Sequence, residues 1–361
     1  MRRRAVLSLF VLASLLGSVA TATTAEGAPT HAAKAPPYVF GINTYFTYNC
    51  QTVAQIDQWA TTEVNQYKAL HANAIAIAFP LYTPTLTSNS VVAMTSCSDP
   101  TQQTPPADIM GDVVKIAHHA GLSVLLRPLV DQQNLYAQNP QAWRGVLNPS
   151  DVSLWFKNYL ATLRPYFLMA QSDHVEHFAI QSELNSLADL PNWTSAIQQS
   201  HAIYTGNIVF DYSWDTPTVK NPRPGTTLAI DAYPKVSAPI TDTVAQLVAQ
   251  WNHLLTTRTY YKVPTLSKVT IDEIGIAAQD GAYSQPYKGQ LQPASSYPFN
   301  QTIQVNWFSA ACSFMKQHKM KGIYYWGPWL STNAGAMLTT PNQNKPSNIQ
   351  PQAQAAIKHC F

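Results

Sequence analysis

Glutamate is scarce in this sequence, and two of its five glutamates stand where side chains could do chemistry. Glu183 and Glu273 follow or end apolar runs, at 178–181 and 269–274. A carboxylate in so apolar a setting costs roughly several kcal/mol unless it is paired or functional. Either glutamate alone fits a structural ion pair, whereas two carboxyls together can act as nucleophile and proton donor. The other three glutamates are Glu26, Glu63 and Glu176.

Eight short apolar runs, rich in β-branched and aromatic residues, alternate with stretches of helical periodicity. Such runs are typical of buried parallel strands. They span residues 38–45, 74–80, 122–129, 175–181, 207–212, 227–233, 268–274 and 322–326. The helical stretches span 52–71, 108–120, 151–169, 193–204, 241–255 and 301–318, and the helices after strands five and eight are the least clearly marked. Gly121 and Gly322 are expected at left-handed helix ends.

This alternation predicts an α/β fold, a (β/α)8 TIM barrel that forms a single domain over residues 38–361. A doubly wound open sheet is the alternative, but such sheets usually have fewer strands, and no glycine-rich phosphate turn follows the first strand. Catalytic groups of barrel enzymes lie at the carboxyl ends of the strands. Since Glu183 closes strand four and Glu273 closes strand seven, the barrel would bring both carboxyls to one rim.

The sequence around the two glutamates resembles clan A glycoside hydrolases, whose acid/base glutamate ends strand four and whose nucleophile ends strand seven. Residues 322–329 are similar to the clan's sugar-platform strand. Ser-Glu-Leu at 182–184, Glu-Ile-Gly at 273–275 and Trp-Gly-Pro at 326–328 are most similar to family 113 β-mannanases, as is Arg-Pro at 127–128. The resemblance spans the whole barrel. It implies a retaining hydrolase in which Glu183 is the acid/base and Glu273 the nucleophile.

One residue departs from the clan pattern. Many members place Asn before the acid/base glutamate to hold the sugar 2-hydroxyl, and this chain has Ser182. The group that holds the 2-hydroxyl is therefore left open. In this mechanism Glu183 should be kept neutral by the charge of Glu273 and an apolar wall, while hydrogen-bond donors should keep Glu273 ionised.

Polar and aromatic residues at other strand ends are candidates for contacts with Glu273 and with a sugar. Arg127 and Tyr233 are candidate donors to Glu273; alternatively, Arg127 forms a surface ion pair and Tyr233 fills the barrel. Trp326 is the candidate floor beneath the sugar, because aromatic rings pack against apolar sugar faces. The remaining candidates, each of which could instead be a packing residue, are Asn43 and Asp231 for contacts with sugar hydroxyls, and Tyr45, Tyr82, Trp214, Tyr283 and Trp329 for outer subsites.

Two strand-end aspartates, Asp131 and Asp215, could be mistaken for the catalytic pair. They rank below the glutamates because glutamate has the longer reach and because the clan pattern uses glutamate.

The first residues have the pattern of a secretory signal peptide. Three arginines at 2–4 precede an apolar run at 5–16 and small residues around 20–28 that suit cleavage. We therefore expect a signal peptide over 1–28, a leader over 29–37, and a mature protein secreted to the extracellular space. A retained N-terminal anchor is the alternative, although the run is short for a membrane span.

The four cysteines lie far apart and form no CxxC pair. In an oxidising compartment, disulfides are their expected use. Three pairings are possible, and we expect Cys50–Cys97 and Cys312–Cys360 because each pair should lie on neighbouring elements. No histidine lies at ligand spacing from the cysteines, so no zinc site is expected, and the mechanism needs neither a metal nor a cofactor.

The balance of charge favours a neutral substrate. The formal net charge is +3, and removal of residues 1–28 takes away three arginines and one glutamate, which leaves +1. Such a surface has no footprint for nucleic acid or an anionic membrane. We expect a monomer that cleaves a neutral β-linked polysaccharide or oligosaccharide, β-mannan first. The alternatives are a β-glucanase, xylanase or exo-glycosidase of the same clan, or an inactive carbohydrate-binding barrel, against which the two intact glutamates argue.

Overall fold

The strands of the barrel follow the apolar runs of the sequence. The computed structural model describes residues 38–97, 103–131, 139, 141–214, 223–236, 243–257, 266–330 and 337–361. Eight parallel strands close one barrel in chain order, since the first strand pairs with both the second and the eighth. They are β1 Val39–Phe46, β2 Ala74–Tyr82, β3 Ser123–Asp131, β4 His177–Ser182, β5 Asn207–Ser213, β6 Thr227–Asp231, β7 Val269–Ile274 and β8 Gly322–Leu330. The predicted (β/α)8 TIM barrel is confirmed.

Small side chains near the starts of the strands leave room for one large ring inside the barrel. Ala76, Ala179 and Ala229 form a buried cluster with Tyr324 of β8. Gly41 of β1 lies so close to the Tyr324 ring that a Cβ atom there would overlap it. Close packing of small against large residues therefore fills this end of the barrel, and leaves the carboxyl rim for chemistry.

The helices lie between the strands, with the last one after β8, and polar caps begin four of them. Thr52, Asp151, Thr243 and Asn300 each accept a hydrogen bond from a backbone N–H of the first helical turn. The helices are α1 Val53–Ala69, α2 Ala107–His119, α3 Val152–Ser172, α4 Asn192–His201, α5 Val244–Thr257, α6 Gln301–Gln317 and α7 Pro351–Cys360. The described residues between β5 and β6 contain no helix; residues 215–222, with the candidate Asp215, lie outside them.

Only one of the two glycines expected at left-handed helix ends has that conformation. Gly121 follows α2 with φ 75°. After α6, Lys319 takes the left-handed conformation instead, with φ 51°. Gly322 begins β8, where a Cβ atom would overlap the carbonyl of Val39. The prediction for Gly322 is wrong because close approach of β8 to β1, rather than a turn, requires this glycine.

Both expected disulfides are present. Cys50 after β1 is bonded to Cys97 after β2, so this bridge links two segments at the carboxyl rim. Cys312 of α6 is bonded to Cys360 of α7, so the second bridge ties the C-terminal helix to the barrel.

We expect the double variant Cys312→Ser, Cys360→Ser to be less stable than the parent protein. The bridge closes a segment of 48 residues, and the loss of that constraint on the unfolded chain lowers the free energy of unfolding by up to about 4 kcal/mol. Urea unfolding of the oxidised parent and the variant measures the difference. An unchanged unfolding midpoint would contradict this role of the bridge.

Glu63 of α1 makes the stability of the fold dependent on pH. Its side chain is 1% exposed and accepts hydrogen bonds from Thr44 Oγ1 at 3.0 Å and the Tyr67 hydroxyl at 2.7 Å. Burial raises the pKa of Glu63 from 4.5 to about 7, although both hydrogen bonds act in the opposite direction. Its contribution to stability is therefore complete below pH 4.5 and is lost as the pH rises through about 7.

We expect Glu63→Gln to remove this part of the pH dependence. Between pH 4.5 and 8 the parent should lose up to ~3 kcal/mol more of its unfolding free energy than the variant. Urea unfolding of both proteins at the two pH values tests the expectation, and parallel losses would show that Glu63 is not responsible.

Residues 37–361 form one compact unit. Within the described residues, no helix has the length and apolar character needed to span a membrane. The signal peptide and leader predicted over residues 1–37 lie outside the described residues.

Candidate active site

Glu183 and Glu273 line the same cleft at the carboxyl rim of the barrel. Glu183 directly follows β4 and Glu273 lies within β7, and they are 8% and 6% exposed. The cleft has a volume of about 640 Å³. A hollow of similar volume between α3 and α4 contains no acidic side chain among its lining residues. The strand-end cleft is therefore where paired carboxyl chemistry is available.

The backbone of Glu183 is held in a conformation that non-glycine residues rarely adopt. Its φ is 55°, in the left-handed region. Such strain persists only where the surrounding structure imposes it, and it is common at functional sites. Here Glu183 N donates to the Asp211 carbonyl of β5 at 3.2 Å, which anchors the turn.

Both carboxylate oxygens of Glu273 are hydrogen-bonded. Arg127 Nη1 of β3 donates to Oε2 at 2.7 Å, and the Tyr233 hydroxyl donates to Oε1 at 2.6 Å. Burial, and next the charge of Glu273, raise the pKa of Tyr233 well above its ordinary value, so this hydroxyl keeps its proton. A guanidinium and a hydroxyl thus stabilise a negative charge on Glu273. Both candidate donors, Arg127 and Tyr233, therefore lie within hydrogen-bond distance of Glu273.

Glu183 has a different environment. Arg144 donates to its Oε2 from Nη2 at 2.7 Å and from Nε at 3.1 Å. Burial raises the pKa of Glu183; Arg144 opposes the rise, and the charges of Glu273 and Asp211 add to it. The net shift is upward, as a proton donor requires.

Arg144 was not among the predicted site residues. It lies on a short 3-10 helix, Arg144–Val146, that interrupts the connection between β3 and α3. A search restricted to strand ends does not reach this position. The only signal in the sequence is an arginine beside Trp143, which also lines the cleft.

We expect Arg144→Met to move the basic limb of the pH profile of kcat/KM to higher pH. The guanidinium favours the ionised form of Glu183, so its removal leaves burial and the charge of Glu273 to hold the proton more strongly. The profile on a hydrolysed substrate, with the exposed Arg164→Met as control, measures the shift. A basic limb that moves down, or stays in place, contradicts this pairing.

Aromatic side chains line the walls of the cleft. Trp326 is partly buried, Trp214 is buried, and Trp329 and Tyr287 are 45% and 52% exposed. Tyr45 packs behind this wall, with its ring centroid 4.9 Å from that of Trp329, and its hydroxyl donates to Asp131 Oδ2 at 2.7 Å. The cleft therefore presents ring faces of the kind that pack against sugars.

Several candidates for sugar contact do not face the cleft. Asn43 and Asp231 have no exposed surface; Asn43 donates to the Asp272 carbonyl, and Asp231 binds Arg127. The expected contact of these two residues with sugar hydroxyls is therefore wrong, because both side chains are buried beneath the floor of the cleft. The Ser182 hydroxyl is also buried, so it does not supply the open 2-hydroxyl contact.

Two aromatic candidates for outer subsites are corrected as well. Tyr283 is 1% exposed and stacks on Trp307 of α6, with ring centroids 5.9 Å apart. Tyr82 is 6% exposed. Tyr82 ends β2 and Tyr283 lies on a short 3-10 helix, Ala282–Ser284, and burial makes both of them packing residues.

Two further buried acids lie beneath the cleft and were not among the predicted site residues. Asp211 of β5 and Asp272 of β7 are 0% and 2% exposed, and Asp211 binds Arg127 Nη2 at 2.6 Å. Among the described residues, no group of three or more His, Cys, Asp or Glu side chains could hold a metal ion.

Comparison with known proteins places this barrel among glycoside hydrolases. No curated protein matches the sequence significantly. A structure of a family 113 β-1,4-mannanase complex is 15% identical, with a TM-score of 0.68 over 89% of this chain and 98% of that one. The family 113 β-mannanase of Alicyclobacillus acidocaldarius, in complex with ManMIm, is 15% identical, with a TM-score of 0.65 over 89% and 97%.

A more distant similarity extends to family 5 of the same clan. A family 5 enzyme from Streptomyces cattleya, in complex with GlcNAc, is 9% identical, with a TM-score of 0.54 over 90% of this chain and 80% of that one. At such identities these likenesses establish the barrel fold and no more. The model of Glycoside Hydrolase Family 113, however, matches residues 44–345, well over half of the sequence. The chain therefore belongs to glycoside hydrolase family 113 and is a glycoside hydrolase.

Proposed function

We propose that this protein is a secreted, retaining hydrolase of β-linked mannan, with Glu273 as nucleophile and Glu183 as acid/base. One observation carries the proposal: the two carboxyls share a cleft but have different environments. Arg127 and Tyr233 hold both oxygens of Glu273, whereas burial keeps the pKa of Glu183 raised. Two carboxyls whose environments separate their protonation states have the division of roles that a double displacement needs.

In the first step, a carboxylate oxygen of Glu273 attacks the anomeric carbon. The bond from that carbon to the leaving oxygen breaks, and the proton of Glu183 passes to this oxygen. The products are a glycosyl ester on Glu273 and the shortened sugar. Glu183 is then a carboxylate, which Arg144 stabilises through its two hydrogen bonds.

In the second step, the Glu183 carboxylate takes a proton from water. The water oxygen attacks the anomeric carbon, the ester bond to Glu273 breaks, and both glutamates return to their starting states. Each step inverts the anomeric carbon, so the product keeps the β configuration. Arg127 and Tyr233 stabilise the charge that returns to Glu273.

The substrate assignment rests on the cleft and on the relatives. Ring faces of Trp326, Trp329 and Tyr287 suit a chain of neutral sugars. The solved family 113 structures with similar folds are described as β-mannanases, which makes β-mannan the first substrate to test. The two disulfides suit an extracellular protein. We propose that a signal peptide over 1–28 is cleaved off during secretion, and that the mature protein consists of a leader, 29–37, and the barrel.

A reducing-sugar assay across mannan, β-glucan, xylan and galactan, with Glu273→Gln as the blank, tests this function. We expect release from mannan by the parent and none by the variant. Release from glucan or xylan alone would identify another specificity of the clan. Binding without release from any sugar would support an inactive carbohydrate-binding barrel and contradict the proposal.

A further inference from the structure

Three carboxyl groups meet one guanidinium beneath the floor of the cleft. Arg127 Nη1 binds Glu273, as described above. Arg127 Nη2 binds Asp211 Oδ2 at 2.6 Å and both oxygens of Asp231, at 2.6 and 2.7 Å. The carboxyls of Asp211 and Asp231 therefore crowd around a single nitrogen atom.

The charges of this group do not balance if every acid is ionised. The side chains of Arg127, Asp211 and Asp231 have no exposed surface, and that of Glu273 is almost entirely buried. Three carboxylates against one guanidinium would leave two uncompensated negative charges away from water. Buried charge without a partner is strongly unfavourable, so a buried carboxyl takes up a proton instead.

We expect this proton on the Asp211–Asp231 pair, because both carboxyls bind the same nitrogen atom of Arg127. Two carboxylates in contact repel each other, and such pairs relieve the repulsion by sharing one proton. Burial raises the pKa of both aspartates, and the charges of Asp211, Glu273 and Glu183 raise that of Asp231 further.

We propose that Asp231 carries a proton that it donates to Asp211, and that this singly charged pair acts as a positioning element for the nucleophile through Arg127. The pair fixes the guanidinium through Nη2 and leaves Nη1 directed at Glu273. With Asp231 neutral, Arg127 faces two negative charges, one on Asp211 and one on Glu273. The remaining acid of this group, Asp272 of β7, is buried, and its pKa is also raised by burial and by the charge of Asp211.

The pair has a clear use in a double displacement, and this part of the inference rests on the proposed function. When Glu273 becomes a glycosyl ester, it loses its negative charge. Arg127 would then be a buried cation whose only charged partner is Asp211. A charge that stays on the aspartate pair keeps Arg127 in place until Glu273 is released, so the geometry at the nucleophile survives both steps.

Substitutions with asparagine separate this arrangement from an ordinary ion-pair network. Asp231→Asn should keep kcat/KM within about fivefold of the parent, because a neutral amide can still donate to Asp211 and accept from Arg127. Asp211→Asn should also be mild, since Asp231 can release its proton and supply the charge. The double variant removes the charge altogether, and we expect a loss of at least about 100-fold that exceeds the product of the single effects.

The pH profile adds a readout that a merely structural role would not move. In the double variant Arg127 acts on Glu273 alone, so the acidic limb of kcat/KM should move to lower pH, whereas each single variant should keep the parent limb. Equal and multiplicative losses in the two single variants would show that both aspartates are ionised and would overturn the inference.

Infrared spectroscopy of the free protein tests the proton itself, without turnover. At pH 7 the parent should show a protonated-carboxyl C=O stretch that decreases in Asp231→Asn by the absorbance of one group. Glu183→Gln and Asp272→Asn serve as controls that remove other protonated carboxyls. A spectrum that Asp231→Asn leaves unchanged refutes the shared proton even if the protein hydrolyses mannan, and a loss of the band supports it even if mannan is not the substrate.

Discussion

Replacement of Glu273 with alanine is expected to lower kcat/KM by on the order of 10⁴–10⁶-fold. The carboxylate is needed to form the covalent intermediate, whatever the leaving group, so activated aryl glycosides should be affected as severely as polysaccharide. The measurement is hydrolysis of both substrate types by parent and variant proteins of equal thermal stability.

Glu176→Gln is a matched control for this experiment. Glu176 lies just before β4, at the opposite end of that strand from Glu183, and accepts from the Val124 backbone N–H at 2.8 Å. The Glu176→Gln variant should have an activity close to that of the parent. Parent-like hydrolysis by Glu273→Ala would contradict the role of Glu273.

Replacement of Glu183 with alanine should have an effect that depends on the leaving group. A polysaccharide leaves as a poor alkoxide and needs the proton, so kcat/KM should fall on the order of 10²–10⁴-fold. A nitrophenyl glycoside needs little protonation, so the glycosyl ester should still form and then accumulate, because no base activates water.

Azide should restore turnover of the activated glycoside in Glu183→Ala. The small anion fits where the carboxyl was removed and attacks the ester without a general base, which should give a β-glycosyl azide. Glu183→Gln, which keeps the volume of the side chain, should gain little from azide. Rescue with an α-glycosyl azide, or an equal loss on both substrate types, would be inconsistent with Glu183 as the acid/base.

The barrel could be predicted from the sequence because its strands are buried on both faces and appear as continuous apolar runs. Most predicted strand ends lie within a few residues of the observed ones. The end of β8 is the largest exception, since Gly327 and Pro328 suggest a turn, yet the strand continues to Leu330 and pairs Trp329 with Tyr45 of β1. Pairing with a neighbouring strand overrides local preference here.

The charged contacts beneath the cleft were harder to predict. Arg127 is separated by 84 residues from Asp211 and by 104 from Asp231, and no local pattern connects them. The requirement that a buried charge has a partner was a usable signal, since all three lie in apolar runs. Arg144 gave no such signal, because its position depends on the path of a loop.

The most direct test of the account is to trap the covalent intermediate. The parent protein is incubated with an activated 2-deoxy-2-fluoro-β-mannoside and is then digested and analysed by mass spectrometry. The fluorine slows both steps, and the activated leaving group restores the rate of the first step only, so the covalent intermediate accumulates. We predict one sugar for each protein molecule, attached to the peptide that contains Glu273, and no label on Glu273→Gln. Attachment to another residue, or full activity with no label on a protein that hydrolyses the parent mannoside, would contradict the assignment of Glu273 as nucleophile.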